Sequence, residues 1–566
     1  MQEHISVYTS DFIYNAGIIG LIRLLETAGT KENADYETDN NELMVSKNFL
    51  INTDLAQAYI NAHIAKFAQG SAYTRLLEDD IEKINMFTDK YAKEETKELK
   101  KKLDDSYTKL LGPSGLTRAS YITACDILKS KNIGIDLKSE CKNIKDIKDY
   151  QEKYQELLKL KVKLQNDICK ETFLMKDIMY SRINSIWSGR AFLNKANAKK
   201  NVKEIYYKDF VEPVIKYLKK IPQEKKSSKH CIVCDAVLSK PIDISFLNDS
   251  ADDMSRKKSA FWDYKPDAHL CPICAFIYSL APLGFTAMQR DMVFVNNNTN
   301  IKTLLEISNS VEAITQLKVN DEDNKNIWYR IWNNIVQQIL KEKFTAQNNI
   351  QVIVREKDKE RYDFNVISKD VLAVLQNSMK YIKNIGAISI QLYPPDYFNV
   401  QDAVLRNILK RNNQYGLINR ILRYSLQENK QVGFLYNVLM IQQKIIGGNN
   451  VKSVKVNMYI IRILYYEGQK LRGFLMTDRG GSAETDNKLR GFVFQLLNAL
   501  QVGDDNRFWQ LILKTYAGYG LAVPREFING FANDDAFQQL GYAYILGLKS
   551  NPRDIENMKE QIEGDK

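Results

Sequence analysis

Hydrophobic and polar positions change texture several times along the chain. Over residues 6–26, SVYTSDFIYNAGIIGLIRLLE, a short extended stretch runs into apolar residues dense enough for a buried helix, with Ser10 or Asp11 placed to cap it. Residues 86–112 are charged and helix-prone up to Gly112-Pro113. Residues 143–180 set Tyr154, Leu157, Leu158, Leu160 and Ile168 at helical spacing among lysines. Both stretches predict amphipathic surface helices. The apolar run AFIYSLAPLGFTA (275–287) precedes MVFVNNNTNIKTLLE (292–306), which predicts a strand, an Asn-rich turn and a helix. IQVIVREKD (350–358) and AISIQLYPP (387–395) carry the β-branched enrichment of strands. From about residue 400 the pattern is mainly helical, with Asp504, Asp534 and Asn551-Pro552 where helices should begin. No periodic repeat is present.

Composition bounds the class. The chain has 566 residues, 44% hydrophobic and 26% charged, long enough for several cores at roughly 100–200 residues per domain. No apolar stretch approaches the ~18 residues of a membrane span. The N-terminal MQEHISVYTSDF lacks a basic leader region. A cytoplasmic protein with no membrane partner is expected. The formal net charge of +11 permits a polyanionic partner without requiring one, so its distribution decides. Residues 195–229 hold eleven lysines against four acidic residues, a net of +7, whereas residues 486–566 hold nine bases against eleven acids. The lysine-rich segment, with Arg182, Trp187 and Arg190 just upstream, fits a phosphate-binding surface; a plain solvated face is the alternative. Trp187 itself reads as a core residue.

The seven cysteines are too few for a disulfide scaffold. Four of them, Cys231, Cys234, Cys271 and Cys274, form two CxxC pairs separated by 36 residues. Each pair delivers two thiolates from a tight turn, and four thiolates satisfy a structural Zn2+ with no open position. A redox pair and an iron–sulfur cluster are the competing readings. His230 and His269 lie beside the cysteines as possible substitutes. The triplet Asn296-Asn297-Asn298 fits an ordinary turn, and its amides could also read minor-groove edges. No HD, HExxH or HxH pattern and no GxxxxGK[ST] loop occurs. The pairs Asp252-Asp253, Asp504-Asp505 and Asp534-Asp535 could bind Mg2+, but caps explain the last two. No enzymatic activity is expected.

These readings combine into an α+β fold: a mixed N-terminal body with an inserted four-cysteine zinc module, followed by an all-α C-terminal helical bundle. The boundaries expected are 1–229, 230–275, 276–400 and 401–566.

The opening SDFIYNAGIIGLIRLLE, the CIVC and CPIC pairs and PLGFTAMQRDMVFVNNN, in that order, resemble the CXXC–CXXC large-subunit family of type I-B CRISPR surveillance complexes (Cascade). The resemblance implies a non-catalytic subunit near the 5′ handle of a crRNA. Such a subunit reads the protospacer-adjacent motif on target double-stranded DNA, aids duplex opening and, with the other Cascade backbone subunits, helps recruit a separate helicase–nuclease. On this reading Arg190, Lys195, Lys199 and Lys200 contact guide or target backbone, and Arg290 with Asn296, Asn297 and Asn298 reads the motif. It also implies a small-subunit-like C-terminal domain that can be made separately, with Met440 and Met458 as candidate starts. A free-standing zinc-ribbon nucleic-acid-binding factor and a metal-dependent nuclease using the paired aspartates are the alternatives.

Overall fold

The computed structural model describes residues 4–30, 35–219, 229–248, 268–288, 291–296, 300–316, 350–356, 361–386, 388–393, 396–428, 430, 432–448, 458–478, 483–527 and 534–550. Helices alternate with small antiparallel sheets, an α+β fold, and the chain divides into two compact units. The first holds Met1–Thr315 with Gln351–Phe364, and the second holds Gln316–Ile350 with Asn365–Lys566.

In the first unit a three-stranded sheet sets Glu42–Ser46 between His4–Tyr8 and Tyr36–Asp39. Ile5 lies opposite Val45 and Val7 opposite Leu43, so the alternating apolar residues of all three strands share one buried face. The helix Phe12–Thr27 follows at once. Asp11 caps it, its Oδ1 accepting from Ile13 N at 2.9 Å and Tyr14 N at 3.0 Å. Buried residues occupy every side of this helix, because Leu55–Phe67, Pro272–Ser279 and Ala281–Gly284 all pack on it. Two small residues permit the close crossing. A Cβ on Gly17 would lie 2.3 Å from the Ile277 carbonyl oxygen, and one on Gly20 would lie 2.1 Å from that of Leu280. Beyond them a four-stranded sheet runs in the order Thr286–Met288, Asp291–Asn296, Ile350–Glu356, Arg361–Ile367, with Val293 paired to Val354 and Val295 to Val352. The strand and helix expected around the Asn triplet are Asp291–Asn296 and Ile301–Gln316; residues 297–299 lie outside the described residues.

A helical lobe between Tyr73 and Leu174 has an apolar core of its own. The two long amphipathic stretches expected there are broken by polar caps. Ile81–Lys93 gives way to Lys97–Leu111, where Thr96 Oγ1 accepts from Leu99 N at 3.3 Å. Further on, Leu137–Asp146, Tyr150–Leu164 and Asp167–Ile178 stand where one helix was read, with Asp149 and Asn166 capping the last two. The side chains of Asp, Asn and Thr compete for backbone N–H groups and win wherever a lobe must turn back on itself.

The second unit is mainly helical. It contains Lys369–Ile385, Val400–Leu409, Tyr415–Glu428, Leu435–Gly448, Met458–Asp478, Ala483–Val502, Asp505–Gly518 and Asp534–Lys549, with one strand pair, Ser389–Tyr393 and Asp396–Asn399. Gly468 and Gly547 let Met458–Asp478 and Asp534–Lys549 touch backbone to backbone. Asp504 caps its helix as read from sequence, its Oδ1 accepting from Arg507 N at 2.8 Å. Asn551-Pro552 lies outside the described residues. Among the described residues no helix is long and apolar enough to cross a membrane.

Candidate functional site

The first CxxC pair sits on a tight knuckle. Cys231 N donates to the Ala236 carbonyl and Asp235 N to the Cys231 carbonyl, both at 2.9 Å, and Asp235 closes the turn with a φ of 56°. Left-handed geometry of this kind suits Asp and Asn among the non-glycine residues. The second pair sits at a helix start. Cys271 caps Pro272–Ser279 through its sulfur, which accepts from Cys274 N at 3.3 Å, and Pro272 takes the first helical position, where no N–H is needed. Ile232 N donates to the His269 carbonyl at 2.9 Å and joins the two halves.

All four sulfurs therefore lie within 4.8 Å of one another. Cys234 Sγ and Cys271 Sγ are 3.7 Å apart, which matches the ~3.8 Å edge of a tetrahedron of sulfurs about 2.3 Å from one central ion. Cys231, Cys271 and Cys274 are buried and Cys234 is exposed. Without a cation, hydrogen bonds to the Cys231 and Cys234 sulfurs, together with burial, hold Cys271 and Cys274 as thiols far above the ordinary range. Four thiolates in this volume repel one another, and a divalent ion removes that repulsion. The four cysteines form a site that can hold a metal ion. The histidines stand aside from it: His230 is exposed beside Asp235, and His269 is buried and contributes its backbone. Among the described residues no other group of three or more His, Cys, Asp or Glu side chains converges in this way. Asp252-Asp253 and the side chains of Asp534-Asp535 lie outside the described residues.

Around the sulfurs the three segments that carry the resemblance meet. Tyr14 Oη lies 3.4 Å from Cys274 Sγ, and Tyr278 donates to the Asp11 carboxylate that caps the first helix. The rings of Tyr14 and Tyr278 pack edge to face with centroids 5.1 Å apart. Asn15 Nδ2 donates to Asn296 Oδ1 at 2.8 Å, and Asn296 Nδ2 donates to Gln351 Oε1 at 3.0 Å. Asn296 is buried and its amide is used within the fold. Asn297, Asn298 and Arg290 lie outside the described residues. Sequence reasoning passed over Tyr14, Asn15 and Tyr278, whose partners lie 260 or more residues away and leave no local signal.

The basic segment divides into inner and outer residues. Trp187 is fully buried, as its sequence context suggested, with Nε1 donating to the Ser279 carbonyl at 3.1 Å. Arg190 lies over the rings of Phe210 and Phe246, 5.0 and 5.6 Å from their centroids, and donates to the Asp209 carbonyl. Burial lowers its pKa. Lys195, Lys199 and Lys200 are exposed on the loop that follows. Lys199 pairs with Asp126 at 3.0 Å, while Lys195 and Lys200 have no carboxylate partner among the described residues. Lys176, buried below the loop, donates to the Ala198 carbonyl at 2.5 Å. Burial pulls its pKa down to about 8.

Residues 224–286 match the family model described as CRISPR-associated protein (Cas_CXXC_CXXC). This segment is similar to a CRISPR-associated protein. The match supports a CRISPR-associated role, and it spans both CxxC pairs and two of the helices that pack on Phe12–Thr27, Pro272–Ser279 and Ala281–Gly284. No curated protein and no solved structure matches the chain.

Proposed function

We propose that this chain is the large subunit of a type I-B, crRNA-guided surveillance complex. In this reading it inspects the protospacer-adjacent motif on duplex DNA, helps open the duplex and helps recruit a helicase–nuclease, with no chemistry of its own. The observation that carries the reading is the match of residues 224–286 to the CRISPR-associated CXXC–CXXC model. The contacts that gather the N-terminal opening and the strand Asp291–Asn296 around the matched segment support it.

Zinc is the ion we assign to the four sulfurs, since an all-thiolate tetrahedron is a closed, structural zinc site. When bound it supplies charge balance and cross-linking, and no step of recognition passes through it. Lys195, Lys199 and Lys200 supply charge for a nucleic-acid backbone, on a loop that Lys176 holds from beneath at the Ala198 carbonyl. Arg290, Asn297 and Asn298 read the motif, and Asn296 fixes the end of the strand from which the two asparagines follow.

The test is purification of the full chain with its neighbours from a host that expresses the system. Bound RNA carrying repeat-derived 5′ ends is expected by sequencing. Asn297→Ala with Asn298→Ala should abolish discrimination among motif variants while leaving the assembly intact. Unchanged discrimination, or a chain that elutes alone and without RNA, overturns the reading, and Mg2+-dependent cleavage by the purified chain would establish a nuclease instead.

A further inference from the structure

Tyr14 is the point where the thiol cluster meets the first helix. Its ring is buried, and its hydroxyl lies 3.4 Å from Cys274 Sγ. A metal-bound thiolate carries no proton, so the phenolic O–H is the donor in that pair. Hydrogen bonds to ligand atoms orient them and commonly account for 10–100-fold in metal affinity.

The next residue continues the chain of contacts. Asn15 is fully buried and donates to Asn296 Oδ1 at 2.8 Å, and Asn296 in turn donates to Gln351 on the adjacent strand. Asp11 caps the same first turn and also receives the hydroxyl of Tyr278, which lies one helical turn beyond Cys274. One helical turn, Asp11 to Asn15, therefore touches the helix of the second CxxC pair through two tyrosine hydroxyls and the strand Asp291–Asn296 through one amide. Tyr14 and Asn15 are neighbours in this helix, so the contact to the sulfur and the contact to the strand stand one residue apart.

We infer that Tyr14 is an outer hydrogen-bond donor to the metal-bound Cys274 thiolate, and that through Asn15 it couples metal occupancy to the position of Asn296. The coupling rests on the proposed function only for its meaning: if the residues following Asn296 read DNA, then a chain without metal reads it poorly. Because coupling is reciprocal, loosening the Asn15–Asn296 contact also weakens metal retention, by a smaller factor than loss of the Tyr14 hydroxyl.

The test uses the full chain and two measurements that need no nucleic acid. Tyr14→Phe keeps the ring and removes the donor. It should release zinc to a chelator at least 10-fold faster than the unaltered chain. With cobalt(II) as the probe, the thiolate-to-metal charge-transfer band should move to longer wavelength, because an unsupported thiolate is a better electron donor. In the unaltered chain, zinc loading should slow amide exchange across residues 291–296, and Tyr14→Phe should remove that difference. Release and band position unchanged in Tyr14→Phe overturn the donor assignment. Exchange across 291–296 that is indifferent to zinc in the unaltered chain, a comparison that needs no variant, overturns the coupling. Loss of motif discrimination is read separately in Asn297→Ala/Asn298→Ala, so the functional reading can fail while the coupling stands.

Discussion

Two parts of the first unit solve the same problem by opposite means. The lobe between Tyr73 and Leu174 buries long aliphatic and aromatic side chains, among them Leu103, Tyr107, Leu157 and Phe173, on facing helices. The cysteine module, residues 229–248 with 268–274, has short strands of two residues each and few apolar anchors, chiefly Leu238, Ile244, Phe246, Leu247 and Leu270. Cohesion in the lobe is spread over many contacts, each replaceable. In the module a few side chains join the main core, and four sulfurs converge on a site able to hold a metal ion. Metal binding contributes on the order of 10 kcal/mol to modules of this type, more than any single apolar contact supplies.

The largest expected effect follows. Chelation, or Cys271→Ser, should open the amides of 231–236 and 269–271 to exchange within seconds while residues 103–111 and 157–164 stay protected. Equal loss of protection in both parts would erase the contrast. The converse variant, Leu157→Ala, empties a fully buried site and should cost about 2–5 kcal/mol of lobe stability. Metal content measured by elemental analysis should remain that of the unaltered chain.

A smaller effect separates the module's contacts from the lobe's surroundings. Gly17→Ala places a methyl 2.3 Å from the Ile277 carbonyl oxygen, and Gly20→Ala places one 2.1 Å from that of Leu280. Backbone cannot yield as a side-chain tip does, so each should cost about 1–3 kcal/mol in thermal denaturation. Gly70→Ala, which meets nothing within 4 Å, should change stability by less than about 0.5 kcal/mol. Similar melting for Gly17→Ala and Gly70→Ala would mean that the helix crossing is looser than described.

The same contrast governs what could be read in advance. Periodicity found the lobe's helical stretches, but their breaks depend on Thr96, Asp149 and Asn166 winning local hydrogen bonds, which period alone does not reveal. Cysteine spacing located four thiols that converge on a site able to hold a metal ion, because ligation chemistry demands residue type at short range. Asp11 was legible as a cap for the same reason. Tyr14 and Asn15 were not, since a buried Tyr or Asn on an apolar helix looks like packing until its distant partner is known. Asn296 is the instructive case: the triplet was visible, and its first member turns inward to Asn15 and Gln351, a choice made by the pleat of the strand that carries it.

The finest division lies within the basic segment, where inner and outer cations differ in kind. Arg190→Ala removes a guanidinium packed over Phe210 and Phe246 and its hydrogen bond to Asp209, so it should lower stability even where no nucleic acid is present. Lys199→Ala breaks an exposed pair with Asp126 and should change stability by less than about 1 kcal/mol. If the outer lysines contact a backbone, Lys195→Ala and Lys200→Ala should each reduce the slope of log affinity against log salt by ~0.9 on duplex DNA, as one counterion-releasing contact is lost. Lys199→Ala should do so less, because Asp126 already neutralises that ammonium in the free chain and must give it up on binding. A salt slope that falls equally for Lys195→Ala, Lys199→Ala and Lys200→Ala would show that the Asp126 pair does not persist in solution. No change for any of the three would leave the loop a solvated face, with Arg190 and Lys176 serving the fold alone.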